Sequence, residues 1–470
     1  MSGMHNSLIM LTLLSACSLP GEQESSQRPP NIVFVVADDL GYGDLGCYGQ
    51  AEISTPVLDQ MAAEGMRFTD FYAGSTVCAP SRSVLMTGKH MGRTYIRGNG
   101  GKPLPSEEVT VAEVLKEAGY ATGGFGKWGL GLPGSVGVPT KQGFDEFFGF
   151  LSQHHAHNHY PSFLFDGEER VELRNVVPNE GKHGQGKASV KEEYATDLVF
   201  ERARGFIREH ADEPFFCFLP ITVPHANNEA GKEGMEVPSY GEYADKDWKD
   251  PEKGYAAMVS NVDSEVGSIL TLLEELGLEE DTLVMFTSDN GSHSEGGYNP
   301  NFFDSNGPLR GNKRSLHDGG IRVPLIARWP GKVPAGVVTD HISYFGDFFE
   351  TAAELAGSES PDDLDSVSFL PELLGMSEKQ AEHDYLYWEF HEWKGAEALR
   401  FGKWKAIRKP IGSGEVKLYD LVNDLGEWKD LAADEPEVAA RAAALMTAAH
   451  TPSVHPMWLL DHEKPQKDEG

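Results

Sequence analysis

The chain has 470 residues, of which 40% are hydrophobic, with 52 glycines. This length and composition predict a globular protein with one large and one smaller domain, and they exclude fibrous and disordered classes. The 73 acidic residues outnumber the 40 basic ones, and the resulting net charge of -33, spread along the chain, argues against nucleic-acid binding.

Residues 1–17 are typical of an export signal. The apolar run at 8–14 is too short to span a bilayer, and residues 14–17 (Leu-Ser-Ala-Cys) resemble the lipobox of bacterial lipoproteins. Cleavage there leaves Cys17 as a lipidated first residue, whereas plain secretion is the alternative, because no lysine or arginine precedes the apolar run. We expect an exported periplasmic or cell-surface protein, joined to a membrane only through Cys17. Polar residues 18–30 are predicted to form a linker.

Apolar runs of strand length alternate with helical patterns between residues 31 and 376. The runs at 32–37, 215–219, 283–287 and 323–327 predict fully buried parallel strands, and a shorter strand is expected around 120–124. Helices are predicted at 110–118, where Thr110 and Glu113 form a capping box, and at 255–276. This alternation favours an α/β fold with a doubly wound sheet and helices on both faces.

The pattern changes after residue 376. Alternating residues at 399–407 and 416–421, separated by a glycine-rich turn, predict an antiparallel hairpin, and a helix is expected at 436–449. Residues 377–470 are therefore interpreted as a smaller α+β subdomain.

Polar residues follow the predicted strands at the points where ligands collect in doubly wound sheets. Asp38 and Asp39 follow the first strand, His225 follows the run at 215–219, and Asp289 and Asn290 follow the run at 283–287. The two aspartates of the first loop and the Asp289-Asn290 pair supply only hard oxygen ligands, which suit Ca²⁺ or Mg²⁺ rather than zinc. If both strands lie near the sheet centre, they form one metal site.

The cysteines occur in unlike contexts, so no disulfide is predicted. Cys217 lies in an apolar run and is interpreted as a core thiol, whereas Cys78 lies in the polar segment Cys78-Ala-Pro-Ser-Arg82. Pro80 suits the first turn of a helix, whose free N–H groups favour an anion nearby. Cys78 is thus expected beside an anion site.

The segment Cys-x-Pro-x-Arg at 78–82 resembles the signature of type I sulfatases, the family of bacterial arylsulfatases and carbohydrate sulfatases. Further matching segments occur in the same order over nearly the whole chain after residue 30, at 37–43, 126–128, 142–145, 287–291, 319–324 and 417–421. The resemblance implies an alkaline phosphatase-like fold with a large mixed sheet, in which residues 31–376 form the sulfatase catalytic domain.

The resemblance also implies a chemistry. Cys78 is expected to be oxidised to formylglycine, by a formylglycine-generating or an anaerobic sulfatase-maturing enzyme, and its hydrate to attack sulfate esters. Ca²⁺ is expected to be held by residue 78 with the oxygen ligands Asp38, Asp39, Asp289 and Asn290. Further catalytic roles are implied for Arg82, Lys127 and Lys313 around the sulfate and for His225 as general acid. The expected substrate is a sulfated carbohydrate, cut in an exo manner.

One position departs from the family pattern. Many relatives read Gly-Lys-x-His, whereas this chain has Gly129 after Gly126-Lys127-Trp128, so the usual second histidine is missing. The nearby segment 153–159 is rich in histidine, and we predict substrate contacts for His90, Gln153, His155 and His157.

Two other activities stay open at this point. One is a phosphomonoester or phosphonate ester hydrolase of the same superfamily, and the other is a non-catalytic lipoprotein that captures sulfated glycans. The joint presence of Cys78, Arg82, Lys127, Asp289 and Lys313 argues against the second.

Overall fold

The computed structural model describes residues 28–465, so the predicted export signal, Cys17 and most of the linker at 18–30 lie outside the described residues. Within this range every helix falls short of the length or the hydropathy that a membrane span requires.

Sixteen strands lie in the described range, in chain order β1 (Asn31–Ala37), β2 (Met66–Phe68), β3 (Phe71–Tyr72), β4 (Ala121–Lys127), β5 (Glu146–Phe150), β6 (Phe163–Asp166), β7 (Glu169–Glu172), β8 (Phe215–Pro220), β9 (Thr282–Ser288), β10 (Leu325–Arg328), β11 (Val337–Thr339), β12 (Ser343–Tyr344), β13 (Leu386–Phe390), β14 (Ala396–Phe401), β15 (Trp404–Lys409) and β16 (Glu415–Asp420). The same range contains nine α-helices, α1 (Pro56–Glu64), α2 (Cys78–Thr87), α3 (Val111–Glu117), α4 (Ala195–Glu209), α5 (Asp250–Glu275), α6 (Asp318–Ile321), α7 (Asp347–Ala356), α8 (Leu370–Leu373) and α9 (Pro436–Ala449).

Ten strands form one large mixed sheet in the order β11-β2-β10-β9-β1-β8-β4-β5-β6-β7. Its five central strands, from β9 to β5, are all parallel, and antiparallel strands flank them. The carboxyl ends of these central strands therefore meet at one edge, where predicted site residues follow β1, β8 and β9 and Lys127 is the last residue of β4.

Strand β1 contributes side chains to an apolar core on each face of the sheet. Ile32, Phe34 and Val36 belong to an apolar core with residues of α2, α3 and α7, whereas Val33 and Val35 belong to a second core with residues of α1, α4 and α5. A strand buried on both faces reads as a continuous apolar run, as this one does. The prediction of a doubly wound α/β sheet is confirmed.

The direction of one predicted strand is wrong. The apolar run at 323–327 was expected to be parallel, but β10 begins at Leu325 and pairs antiparallel with both β9 and β2. The long loop between β9 and β10 contains only the short helix α6, and no crossover helix brings the chain back to the other end of the sheet. Apolar pattern alone does not encode strand direction, because burial on both faces is the same in either case.

The helices predicted at 110–118 and 255–276 are confirmed with shifted ends, and the helix predicted at 436–449 is confirmed with its predicted bounds. The capping box of α3 is confirmed, since Thr110 Oγ1 accepts from the backbone N–H of Glu113 and Glu113 accepts from that of Thr110. Helix α5 begins at Asp250, five residues before the predicted start, because Pro251 fits its first turn.

The C-terminal part contains an antiparallel sheet in the order β13-β14-β15-β16. The predicted antiparallel hairpin is confirmed by β15 and β16, but the segment at 399–407 is not one strand, since the chain turns at Gly402, where φ is 53°, and forms β14 and β15. One face of this sheet packs on α9, and the other contributes Trp388 and Ala398 to the core of the large sheet.

His450 joins the end of α9 to the following segment and provides a test of stability against pH. Its Nδ1 donates to Glu389 at 2.6 Å and its Nε2 to Glu463 at 2.7 Å. The hydrogen bond to Glu389 is the main cause that raises the pKa of His450 to about 9, which exceeds the ordinary value of about 6.5. Protonated His450, paired with Glu389, therefore contributes its full stabilisation of the fold below about pH 6.5, and this stabilisation is lost as pH rises through about 9.

We expect the free energy of unfolding of wild type to exceed that of His450→Gln by roughly 1–3 kcal/mol at pH 6, and by much less at pH 10. Urea unfolding of both proteins at the two pH values measures this difference. A difference that does not change with pH would contradict the assignment.

Candidate active site

Cys78 is the first residue of α2 and lies at the edge where the central strands end. Its side chain is buried, and Sγ lies 3.5 Å from Asp38 Oδ1. Burial raises the pKa of the Cys78 thiol to about 12, so the unmodified side chain is a neutral thiol near neutral pH. An unmodified Cys78 is therefore a weak nucleophile.

Neighbouring loops fix the first turn of α2 in place. Ser81 Oγ donates to the carbonyl oxygen of Asp289 at 2.6 Å and accepts from the N–H of Gly74 at 3.1 Å. The N–H of Ala79 donates to Asn99 Oδ1 at 3.0 Å. These bonds join the helix N-terminus to the loop after β9 and thus place residue 78 beside the strand ends.

Three buried aspartates surround Cys78, and the nearest charged partner of each is a different cation. The contacts are Lys127 Nζ to Asp38 Oδ2 at 2.6 Å, Lys313 Nζ to Asp39 Oδ2 at 2.7 Å, and Arg82 Nη2 to Asp289 Oδ2 at 2.8 Å. Arg82 also donates to the carbonyl oxygen of Lys127 at 2.5 Å. Buried charges are stable when they are paired and hydrogen-bonded in this way.

The charged neighbours act differently on the aspartates. Burial alone would raise the pKa of Asp38, but Lys127, Arg82 and Lys313 hold that pKa below its ordinary value. Burial, with repulsion from Asp38, raises the pKa of Asp289 to about 7. The ionised form of Asp289 is therefore costly in this site, and a further cation would lower that cost.

The oxygen atoms at this edge fit a hard cation. Asp38, Asp39 and Asp289, with the Cys78 sulfur, each bring one ligand-type atom to within 4.8 Å of the others. Asn290 Oδ1 is buried and finds no hydrogen-bond partner among the described residues, while its Nδ2 donates to Asp39 Oδ1 at 2.6 Å. Carboxylate oxygens with one free amide oxygen are the donor set that Ca²⁺ prefers.

The backbone at Asp39 supports a functional role for this loop. Its φ of 66° lies in the left-handed region, which is costly for a residue other than glycine. In this conformation the N–H of Asp39 donates to Asp289 Oδ1 at 3.2 Å. The loops after β1 and β9 are thereby joined.

His225 lies in the loop after β8, on the side of the site where Asp39 and Lys313 pair. Its Nδ1 donates to the carbonyl oxygen of Ala226 at 2.7 Å, and its Nε2 lies 3.5 Å from Asp39 Oδ2. Burial, and then Lys313 and Lys127, hold the pKa of His225 well below its usual range. An anion bound near Nε2 would counter the effect of the two lysines.

The histidines of the segment 153–159 lie in different surroundings. The His157 ring stacks on His225 with centroids 4.8 Å apart and planes at 11°, so His157 borders the site. His155, in contrast, is fully buried between Phe150 and Phe163, and burial lowers its pKa to about 3. The predicted substrate contact of His155 is corrected: the residue belongs to the core.

Gln153 occupies the space that a side chain at position 129 would need. Gly129 has a φ of 82°, and a Cβ there would lie 2.2 Å from Gln153 Nε2. The two residues also line one cavity of about 260 Å³ together with Asn99, His154 and His183. In this chain the Gln153 carboxamide thus occupies the space that a side chain at position 129 would take.

His90 does not contact this cluster. It lies beyond the C-terminal end of α2, whereas Cys78 lies at the N-terminal end, and its ring packs on Tyr387 and lies 3.8 Å from Asp365. The predicted substrate contact of His90 is corrected for this reason.

Two residues near the site were missed in the sequence. Asn99 caps the start of α2 from a loop that no pattern marks. Glu295 lies 3.7 Å from both His225 Nε2 and Lys313 Nζ. Its place in a glycine-rich loop shortly after Asn290 is the one signal that could have indicated it.

The sequence of this chain matches known protein families over most of its length. The profile of the family described as "Sulfatase" matches residues 30–358, which include every residue of the buried cluster. A profile described as "N-sulphoglucosamine sulphohydrolase, C-terminal" matches residues 311–449.

Individual relatives are similar to this chain over most of its length. Arylsulfatase A of Homo sapiens is 36% identical over 81% of this chain and 75% of its own length. An N-acetylgalactosamine-6-O-sulfatase of Bacteroides thetaiotaomicron is 30% identical over 94% of this chain and 97% of its own length. Among solved structures, Ps i-CgsB in complex with k-i-k-neocarrahexaose matches with a TM-score of 0.74 and 28% identity, over 90% of this chain and 92% of that one.

Proposed function

This chain belongs to the sulfatase family and is a sulfuric ester hydrolase, and from this premise we propose that it removes sulfate from sulfated carbohydrates, using Ca²⁺ and a formylglycine formed from Cys78. The observation that carries the proposal is the position of Cys78, at the N-terminus of α2 among three buried aspartates and three cations. The charges of those six groups cancel, so a bound Ca²⁺ leaves the site positive and suited to an anionic ester.

The protein groups of the site have separate tasks. Asp38, Asp39, Asp289 and Asn290 would hold Ca²⁺, because they supply the oxygen atoms described above. When present, the formylglycine supplies a hydroxyl nucleophile and Ca²⁺ supplies positive charge beside it.

Arg82 and the two lysines bind and orient the sulfate. Arg82 is held between Asp289 and the carbonyl oxygen of Lys127, so its guanidinium is fixed before substrate arrives. Lys127 and Lys313 lie on either side through their contacts with Asp38 and Asp39. Their ammonium groups offset the charge that develops on the sulfate oxygens.

His225 donates a proton to the leaving oxygen. Its Nδ1–H is held by Ala226, which leaves Nε2 directed toward the side of Asp39 and Lys313. The negative sulfate next to Lys313 counters the lysine charges and favours the protonated ring at the moment when the proton is needed.

Substitution of His225 by asparagine tests this role through the leaving group. We expect kcat/KM to fall by about 10²–10³-fold on a sugar sulfate, whose alkoxide needs a proton. The loss on 4-nitrophenyl sulfate should be at least about tenfold smaller, since nitrophenolate leaves without one. Steady-state kinetics on both substrates decide the matter, and equal losses would contradict the role of general acid.

Sulfated carbohydrate as the substrate class is supported by the relatives, because one is named for an N-acetylgalactosamine sulfate and another was solved with a neocarrahexaose. The buried position of Cys78 favours a terminal sugar and hence exo action. A formylglycine-generating or anaerobic sulfatase-maturing enzyme is the partner that maturation requires. Export, with or without lipid on Cys17, remains part of the proposal, because residues 1–17 have the pattern of an export signal.

Matched aryl esters test the reaction class, and a sugar panel tests the substrate class. We expect matured protein to hydrolyse 4-nitrophenyl sulfate with a kcat/KM at least about 100-fold above that for 4-nitrophenyl phosphate. It should also release sulfate from at least one member of a panel of galactose, N-acetylgalactosamine and N-acetylglucosamine sulfates, mono- and disulfated. Preference for the phosphate, or release from no sugar in the panel, would contradict the respective part of the proposal.

A further inference from the structure

Glu295 places a carboxylate oxygen between the general acid and a sulfate-binding lysine. Its Oε2 lies 3.7 Å from His225 Nε2 and 3.7 Å from Lys313 Nζ. This oxygen is buried and accepts no hydrogen bond from any described residue, although 17% of the side chain is exposed. A buried carboxylate oxygen without a donor is costly unless a ligand supplies one.

The position of this carboxylate is fixed by its neighbours. Oε1 accepts from Arg314 Nη1 at 2.5 Å, and the N–H of Glu295 donates to His293 Nδ1 at 2.9 Å. His293 in turn donates through Nε2 to the carbonyl oxygen of Pro224 at 3.0 Å. Since Oε1 is engaged and the backbone is held, Oε2 is the free acceptor of a preorganised group.

The carboxylate is also charged. Burial alone would raise the pKa of Glu295, but Lys313 and Arg314 lower it to about 2. An ionised acceptor at this place favours a neutral donor and repels a second anionic group.

Building on the proposed sulfatase function, we propose that Glu295 is a specificity-determining residue. Its carboxylate accepts a hydrogen bond from a hydroxyl or amide N–H that flanks the sulfate ester on the leaving sugar. The same carboxylate excludes a second sulfate from that flanking position. The leaving oxygen lies within hydrogen-bond reach of His225 Nε2 in the proposed mechanism. A donor that flanks this oxygen on the sugar ring then falls near Oε2, because Oε2 is only 3.7 Å from the same nitrogen.

The isosteric change Glu295→Gln tests the proposal with three probes. These are 4-nitrophenyl sulfate, the best monosulfated sugar of the panel above, and that sugar with a second sulfate beside the first. We expect kcat/KM on the monosulfated sugar to fall about 10–100-fold, which is at least tenfold more than on the aryl sulfate, because the aryl group offers no flanking donor. The preference for mono- over disulfated sugar should fall at least about tenfold, because the repelling charge is gone.

Two further variants separate recognition from structure. Glu265→Gln is the matched control, since Glu265 of α5 is 18% exposed and pairs with Arg204 of α4 at 2.6 Å. All three rates should stay within about threefold of wild type in this variant. Glu295→Asp keeps the charge and should keep most of the discrimination against the disulfate, which tests the proposal even if the glutamine variant folds poorly.

Equal losses of Glu295→Gln on the aryl and the sugar sulfate, with unchanged discrimination, would overturn the proposal, because they would mean that Glu295 only positions Lys313 or His225. If wild type hydrolysed no sulfate ester at all, the proposed function itself would fail, and the two failures are therefore distinguishable.

Discussion

Cys78→Ala is expected to lower kcat on every sulfate ester by at least about 10⁴-fold, because the change removes the only side chain from which the nucleophile can form. Binding should persist. Arg82, Lys127 and Lys313 keep their carboxylate partners in this variant, so the dissociation constant for a sulfated sugar should stay within about tenfold of wild type. Calorimetric titration and stopped assays of released sulfate measure the two quantities.

Cys78→Ser is the matched control for this prediction. It offers a hydroxyl at the same place but, unlike an aldehyde, cannot form a hydrate with two hydroxyl groups, so it too should lose most turnover. Wild-type turnover by Cys78→Ala would show that residue 78 is not the source of the nucleophile, and wild-type turnover by Cys78→Ser would show that the formylglycine hydrate is not required.

Asp289→Ala is expected to lose bound Ca²⁺ and to lower kcat/KM by at least about 10³-fold. The change removes one of the four oxygen ligands and also the partner of Arg82, which Asp289 binds at 2.8 and 3.0 Å. Absolute stability does not isolate the metal effect, because an unpaired buried Arg82 costs stability by itself.

The informative quantity is therefore the change in Tm on adding Ca²⁺. Wild type stripped with a chelator should gain Tm as Ca²⁺ is added, since the ion binds the native state, and Asp289→Ala should gain little. Asp263→Ala on α5 is a remote control that should keep the wild-type response, because the Asp263 carboxylate accepts from the backbone N–H groups of Val57 and Leu58 in α1. A full Ca²⁺ response in Asp289→Ala would contradict the ligand assignment.

The parts of the site that follow strand ends could be predicted from the sequence. Runs such as 32–37 are apolar on both faces, and the polar residues right after them had to meet at one edge of a parallel sheet. The sequence therefore predicts that Asp38, Asp39, Asp289 and Asn290 lie together. The start of α2 was predictable as well, because Pro80 suits the first turn of a helix, whose free N–H groups favour an anion nearby.

The residues that depend on loop conformation could not be predicted in the same way. Glu295 reaches the site only because His293 and Arg314 hold it there, and no local pattern encodes these contacts. His155 and His90 were predicted from composition and resemblance, but their positions depend on which side chains pack around them. The antiparallel direction of β10 was missed for a similar reason, since it is set by the long loop that precedes it.

Gly129 illustrates how a departure from a family pattern is explained by the structure. The sequence shows only that a histidine is missing, whereas the coordinates show a left-handed backbone and a space filled by Gln153 from another loop. A carboxamide binds by hydrogen bonds but does not take up a proton in the working range. Gln153 therefore fills the space beside Gly129 without replacing the missing histidine as a proton acceptor.

The most direct test of the central claim measures the chemical state of residue 78 together with activity. Protein should be produced with graded amounts of a formylglycine-generating enzyme, and the peptide that contains position 78 should be quantified by mass spectrometry as cysteine or formylglycine. We predict that the rate of hydrolysis of 4-nitrophenyl sulfate per mole of protein rises in proportion to the formylglycine fraction and extrapolates to zero for fully unconverted protein. Turnover that is independent of that fraction would contradict the account.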